Sequence, residues 1–247
     1  MARVKYKNSP LKEVIFQLRF PTILAINTKE PVEFQERLRD EYPLYSDNIE
    51  QNKERLPNGE INETQSHRYQ FVSADGQYMV SMSSSFIALS TLNYTRWEEF
   101  RERIKSVMTM FQEVYKTNIF VRIGLRYKDV ITKTRYGFSG KHWNELVKPE
   151  VIGIISDIDE ENALEYHLVS VHKQKDDETM ERNQFEFVLV DGSQEVSLLL
   201  DCDYYLTKVF SKDAYLYIAD TLHGHSSNFI ENSITPALRE AMQSEAL

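Results

Sequence analysis

The sequence predicts an α+β protein made of two similar units, each with a β-α-β-β-β-α plan. Several short stretches alternate apolar and polar residues, which is typical of strands that bury one face. Two long stretches, near residues 97–115 and 215–230, repeat apolar residues every three or four positions, as amphipathic helices do. Because such a helix must bury its apolar stripe, we expect each to cover a mostly antiparallel sheet. The units would span residues 1–117 and 118–247, and their sheets could join into one continuous curved sheet.

The first unit is predicted to contain four strands and two helices. Its strands are expected at residues 12–20, 68–73, 77–83 and 86–92. A short helix follows Pro31 and stops at Pro43, because proline suits a first helical turn and cannot continue a helix. The polar stretch 47–66, with a turn at Pro57-Asn58-Gly59, predicts a long surface loop. Thr95 and Glu98 form a capping-box pattern at the start of the long helix.

The second unit is predicted to repeat this order of elements. Its strands are expected at residues 119–130, 164–173, 184–190 and 195–203, with a broken helical region at 142–155. In the first of these strands, positions 119, 121, 123, 125 and 127 are expected to share one face. Phe120 and a row of basic residues would then lie on the other face. Thr235 and Pro236 predict the cap and first position of a last helix after the long one.

The composition favours a cytoplasmic protein. The single cysteine excludes an intrachain disulfide and suits a reducing compartment. The N-terminus lacks the apolar segment of a signal peptide, and no apolar run is long enough to cross a bilayer, so no membrane association is expected. A net charge of -9 weakens non-specific attraction to nucleic acid, which is a conceivable partner but not the favoured one.

Asp201 and Asp203 are the candidate catalytic residues. They flank Cys202 on a predicted strand, so both carboxylates fall on one side, where they could hold Mg²⁺ or perform acid–base chemistry. The alternative is an ordinary strand end, because no third acidic ligand is identifiable. Cys202 itself is best interpreted as a packed small residue, since neighbouring carboxylates oppose thiolate formation.

Arg122 and Arg126 are candidate binding residues. With Lys128 and Arg19 they could form a basic sheet face, and arginine binds phosphate bidentately. The alternative is a solvated face or an interface with acidic partners. His223 and His225 lie two apart on the last long helix and point to different sides, so no metal site is predicted.

No cofactor is predicted. The glycine-rich loops that bind nucleotide phosphates are absent, as are zinc-protease, paired CxxC and GxSxG motifs.

Two stretches resemble a sporadically distributed prokaryotic family of similar length and no established activity. Residues 9–20 resemble its N-terminal signature PL-x-EV-x-F-x-LRF. Leu222-His223, followed by Phe229 and Glu231, resembles its LH…FE…IT ending, although Ile230 interrupts the last pair. The resemblance implies a prokaryotic cytoplasmic protein with a possible role in antiviral defence, and it supplies no catalytic residue. Packing explains the apolar motif residues more readily than His223 and Glu231, which we therefore add as candidate binding residues.

The leading functional hypothesis is a non-enzymatic protein that binds a small molecule or a partner protein, because helices laid over sheets often leave a cleft. One alternative is a metal-dependent hydrolase of nucleotides or nucleic acid. Another is a self-assembling, homo-oligomeric scaffold. Four tyrosines expected to be exposed suit such an interface: Tyr42, Tyr45, Tyr204 and Tyr205.

Overall fold

The computed structural model describes residues 4–55, 61–156, 158, 163, 165–175, 178–190, 192 and 194–246. The strands are β1 (Val4–Tyr6), β2 (Leu11–Arg19), β3 (Leu44–Arg55), β4 (Ile61–Val72), β5 (Tyr78–Ser83), β6 (Phe86–Thr91), β7 (Ile119–Ile131), β8 (His167–Lys173), β9 (Met180–Leu189), β10 (Val196–Ser211) and β11 (Ser244–Ala246). The α-helices are α1 (Leu24–Thr28), α2 (Val32–Leu38), α3 (Trp97–Tyr115), α4 (Pro149–Ile152), α5 (Tyr215–Ser233) and α6 (Pro236–Ala241). Short 3₁₀ turns occupy Thr134–Tyr136, Trp143–Glu145 and Gly153–Ser156.

Nine strands form one antiparallel sheet, which confirms the α+β class. The strand order is β3-β4-β5-β6-β2-β7-β10-β9-β8, and β1 pairs with β11 in a separate two-stranded sheet. Within the described ranges, no helix combines the length and the apolar character needed to cross a membrane.

The chain divides into two compact units that interleave in sequence. One contains residues 1–14, 125–205 and 220–247, and the other contains residues 15–124 and 206–219. The division at residue 117 and the internal repeat both stay predictions.

The strand predicted at residues 12–20 is confirmed as β2. Val14, Phe16, Leu18 and Phe20 are all buried, while the residues between them are more exposed. The Phe20 ring lies 5.1 Å from Phe111 of α3, whose apolar stripe is buried as predicted. Burying each aromatic side chain contributes roughly 2–3 kcal/mol, so this contact anchors the helix to the sheet.

The surface loop predicted at residues 47–66 is wrong. Its described residues belong to β3 and β4, which pair antiparallel from Leu44 opposite Val72 to Arg55 opposite Ile61. The predicted turn at Pro57-Asn58-Gly59 lies outside the described residues. Polar sequence can form this hairpin because the ladder of backbone hydrogen bonds, rather than side-chain hydrophobicity, holds its outer strand.

The capping box predicted at the start of α3 is wrong in detail. Arg96 is the N-cap residue and makes no side-chain cap, whereas the Thr95 hydroxyl donates to the Glu99 carboxylate. Acidic residues in the first turn still complement the positive end of the helix dipole.

The predicted faces of β7 are wrong at its start. Phe120 is fully buried and Ile119 is exposed, the reverse of the prediction. The Phe120 ring contacts Tyr215 of α5, and Tyr127 also contacts α5 through His223. Phe120 and Tyr127 therefore face the same helix although they are seven residues apart, so the alternation changes phase along the strand.

Elsewhere the predicted elements are partly right. Residues 142–155 form short 3₁₀ turns and the single-turn α4 instead of a longer broken helix. The Thr235 cap is confirmed, since its hydroxyl accepts a hydrogen bond from the Leu238 amide at the start of α6. The predicted exposure of Tyr42 and Tyr204 is wrong, because Tyr42 is 1% exposed and Tyr204 is 0% exposed.

Candidate functional site

The two candidates Asp201 and Arg126 bind each other. Arg126 on β7 donates from Nε to Asp201 Oδ1 on β10 at 2.5 Å, and its Nη2 donates to Asp201 Oδ2. The Asp201 side chain is only 5% exposed. The hydrogen bonds that Arg126 donates to Asp201 raise the pKa of Arg126, so the guanidinium stays charged. Both Asp201 oxygens are thus engaged by a cation, and Asp203, which lies nearby, also favours the charged Arg126.

The remaining basic residues on β7 contact β2 side chains. Lys128 donates to Glu13 at 2.7 Å, and Arg122 Nη1 donates to Gln17 at 3.3 Å. The predicted basic row therefore contacts carboxylates and an amide from adjacent strands. Such pairs stabilise cross-strand register and reduce the positive charge available to a phosphate.

His223 and Glu231 both lie on α5 and meet different neighbours. The Tyr127 hydroxyl and His223 Nδ1 share a hydrogen bond of 2.9 Å. Glu231 accepts from the Tyr6 hydroxyl and forms an ion pair with Arg239 of α6 at 3.1 Å. His223 thus faces the sheet, whereas Glu231 joins the two ends of the chain that meet at β1 and α6.

A buried polar layer lies between α5 and the strands of its unit, and Glu181 is its centre. Glu181 Oε1 accepts from Asn183 Nδ2 at 2.7 Å and from the Tyr204 hydroxyl at 3.5 Å. Its other oxygen accepts from Gln174 at 2.5 Å and lies 3.2 Å from His172 Nε2. A carboxylate with this many donors is fully satisfied despite being 3% exposed.

The pairing register of β8, β9 and β10 brings the residues of this polar layer together. Glu181 of β9 pairs with Tyr204 of β10 on one side and with His172 of β8 on the other. One step along, Asn183 pairs with Cys202. Phe185, two residues further on β9, stacks on Phe229 of α5 at 6.2 Å, so these alternate β9 positions all face the helix.

Asn183 carries a buried acceptor with no donor. Because Glu181 can only accept, it fixes the amide of Asn183 with Nδ2 towards the carboxylate and Oδ1 away from it. Oδ1 is shielded from solvent and has no hydrogen-bond partner among the described residues. Asn183 as a whole is 3% exposed, so its carbonyl is an unsatisfied group inside the layer.

Cys202, which is in register with Asn183, and Asp129 of β7 are also buried. Burial raises the pKa of Asp129 from 3.8 to about 7. Burial also raises the pKa of the Cys202 thiol, with smaller effects from Asp129, Glu181 and Asp201. The interpretation of Cys202 as a packed thiol rather than a nucleophile agrees with this environment.

A metal centre is not formed by the part of the chain that the structure describes. No group of three or more His, Cys, Asp or Glu side chains there could hold a metal ion. His225 Nε2 lies 3.3 Å from the Thr179 hydroxyl, just before β9, while His223 contacts Tyr127 of β7, so the two histidines have different neighbours.

No protein-family model and no curated protein sequence matches this chain.

None of the predicted candidate binding or catalytic residues makes a described hydrogen bond to Glu181 or Asn183, the centre of the polar layer. The usable signal for this centre was the alternation Glu181, Asn183 and Phe185, in which two polar residues occupy the same face as an apolar one. The predicted strand began at residue 184, after both polar residues, whereas β9 begins at Met180.

Proposed function

We propose that this chain is a non-enzymatic binding protein that holds a small polar molecule between α5 and the sheet. The observation that carries the proposal is the buried carbonyl Oδ1 of Asn183, which lacks a donor among the described residues. An unsatisfied buried acceptor costs about 1–3 kcal/mol, and a ligand that donates to it removes this cost on binding. The hydrogen bond from the ligand to Asn183 Oδ1 would therefore supply the affinity for the ligand.

The surroundings of Asn183 suit a preformed site. Glu181 is fixed by four neighbours and in turn fixes the amide of Asn183, so the carbonyl needs no reorientation when a ligand arrives. Phe185 and Phe229 supply an apolar wall on the same side. A few oriented polar groups within apolar walls are typical of small-molecule sites.

A binding function fits these contacts better than a metal-dependent hydrolase does. A divalent ion at Asp201 would have to displace Arg126 from both carboxylate oxygens. A partner protein, self-assembly and a link to prokaryotic defence stay hypotheses, and the last rests on the family resemblance alone.

Thermal unfolding with added ligands tests the proposal. The panel contains aliphatic amines, amino acids, nucleosides and sugars, each at millimolar concentration. A ligand at a hundred times its Kd stabilises the folded state by about 2.7 kcal/mol, so Tm should rise by roughly 5–10 °C. We expect at least one class to produce this rise.

Two variants localise the effect. Asn183→Leu removes the acceptor and should abolish the rise in Tm. Asn144→Leu is the matched control, because the Asn144 amide also makes one hydrogen bond, to the Ser156 carbonyl at 3.0 Å. If Asn183→Leu does not fold, Asn183→Ser takes its place. A panel that leaves Tm unchanged, or a rise that survives both Asn183 variants, contradicts the proposal.

A further inference from the structure

β8 is an end strand of the nine-stranded sheet. It pairs with β9, from His167 opposite Glu186 to Lys173 opposite Met180, and the described ranges contain no strand on its other side. An edge strand presents a row of backbone N–H and C=O groups that can pair with another chain unless proline, lysine or a bulge prevents it. β8 contains no proline, and its one lysine is the last residue.

Alternate residues of β8 direct their backbone groups away from β9. The Phe187 amide donates to the Tyr166 carbonyl, and the Gln174 amide donates to the Thr179 carbonyl. Residues 166 and 174 therefore have their backbone groups towards β9, and so do the even-numbered residues between them, because the direction alternates along an antiparallel strand. The backbone groups of residues 167, 169, 171 and 173 face the open edge.

The centre of this edge is apolar. Val169 and Val171 are 45% and 52% exposed, and as alternate residues they lie on the same face of the strand. β3, the strand at the other end of the sheet, has charged residues at five of its twelve positions, a composition that discourages edge-to-edge pairing. The centre of β8 lacks this protection.

A second copy of β8 complements the edge. A two-fold axis at Ser170 places Val169 opposite Val171 of the second copy, and the symmetric pair forms at the same time. Because both valines direct their backbone groups outwards, each pair exchanges two hydrogen bonds. The same register places exposed Glu165 opposite exposed Lys175 of the other copy at both ends of the contact. Apolar pairs and opposite charges directly across from each other both stabilise antiparallel strands.

Neighbouring registers fit less well. An axis at Val169 would place Val171 opposite His167. An axis at Val171 would place Val169 opposite Lys173. The central axis instead places His167 opposite Lys173 of the other copy, and the Lys173 ammonium lies 3.7 Å from Glu178 of its own chain, which offsets its charge. One register therefore pairs the valines with each other and opposite charges with each other.

We propose that β8 pairs antiparallel with β8 of a second copy about a two-fold axis at Ser170, so that the two sheets join. Such an isologous contact closes at the dimer, because each copy uses its one β8 edge. A single pair of short strands buries less surface than a permanent interface, so the dimer should dissociate on dilution. It goes beyond the proposed ligand site and does not depend on it.

Sedimentation over roughly 1–500 µM protein measures the association. Val169→Lys/Val171→Lys places lysines opposite each other and should raise the Kd of the dimer at least ~10-fold, and Val169→Glu/Val171→Glu should do the same. An equimolar mixture of the two variants should dimerise again, because each lysine then faces a glutamate. Val209→Lys is the control, since Val209 is 64% exposed and lies on β10. It should leave the Kd unchanged.

A cysteine at the axis tests the register. Ser170→Cys in a Cys202→Ala background brings two thiols together in a non-hydrogen-bonded pair. The Cα atoms of such a pair lie about 4.5 Å apart, a distance that a disulfide spans. Mild oxidation should therefore give a covalent dimer. Ser211→Cys in the same background is the control, because Ser211 is exposed outside β8, and it should crosslink far more slowly.

Several results would overturn the proposal. They are a wild-type monomer at every concentration, a dimer that the lysine variant does not weaken, and a mixture of lysine and glutamate variants that stays monomeric. Crosslinking at residue 170 that is no faster than at residue 211 would refute the axis at Ser170. If the double variants do not fold, Val171→Lys and Val169→Glu replace them, since these two positions face each other across the axis.

Discussion

Replacing Asp129 by asparagine should stabilise the protein, and the gain should grow as the pH rises. The carboxyl loses its proton near pH 3.8 in the unfolded chain but near pH 7 in the folded one, because burial disfavours its charged form. Between these values, rising pH favours the unfolded chain, which has already released the proton. The loss of unfolding free energy caused by burying this charge is absent below the pKa of the unfolded chain and complete above the pKa of the folded one.

The size of this effect follows from the shift. About three pKa units correspond to roughly 4 kcal/mol of unfolding free energy at pH 8, and relaxation around the charge makes this an upper value. At pH 5 the penalty is roughly 1.5 kcal/mol, so the asparagine variant should gain about 2–3 kcal/mol between the two pH values. Two groups that face Asp129 stay neutral throughout: burial raises the pKa of Tyr136 to about 12 and raises that of Cys202.

Urea denaturation of wild type and Asp129→Asn at pH 5 and pH 8 measures this difference directly. Asp40→Asn controls for the loss of one exposed carboxylate. A stability difference that is the same at both pH values would mean that Asp129 is not held as a buried neutral acid, and the reasoning would be refuted.

Two further predictions concern β10. Arg126→Ala should lower the unfolding free energy measured in urea by about 1–2 kcal/mol, because the 5% exposed Asp201 then lacks its cation while Arg126 itself is partly solvated. The double variant Arg126→Met/Asp201→Leu should recover much of that loss. If it recovers none, the two residues do not stabilise the protein as a pair. Cys202 should react with Ellman's reagent at least ~100-fold more slowly in the native protein than in urea, because burial raises the pKa of its thiol. A cysteine at the exposed position Ser211, in a Cys202→Ala background, should react rapidly, and equally rapid native reaction of Cys202 would contradict its burial.

Local sequence patterns predicted the elements in which the spacing of the apolar residues matches the face that is buried. The alternation of Phe16, Leu18 and Phe20 predicted β2, and the stripe containing Phe100 and Phe111 predicted α3. Thr235 before Pro236 predicted the start of α6, because the capping hydrogen bond forms within one turn.

The polar hairpin of β3 and β4 was not predictable in the same way. Asp47 pairs with Tyr69, and Asn48 pairs with Arg68. Such partners are chosen by register rather than by the hydrophobicity of either strand alone. The sequence from residue 47 onwards therefore resembled a loop until its partner strand was known.

The candidate site depends on strand order, which no local pattern contains. Asp129, Cys202 and Asn183 come from three strands that are adjacent only in the folded sheet. His223 was identified because it lies in the family-like C-terminal motif and packing explains it less readily than the apolar motif residues, but its partner Tyr127 had been assigned only to a face of a strand. Long-range antiparallel pairing brought these residues together.

A crystal structure of the protein grown with a ligand that raises its Tm tests the central claim most directly. We expect density for the ligand beneath α5, with a donor atom within hydrogen-bonding distance of Asn183 Oδ1. A ligand bound only at the molecular surface, with the Asn183 carbonyl contacting water alone, would contradict the claim that this buried acceptor serves a ligand.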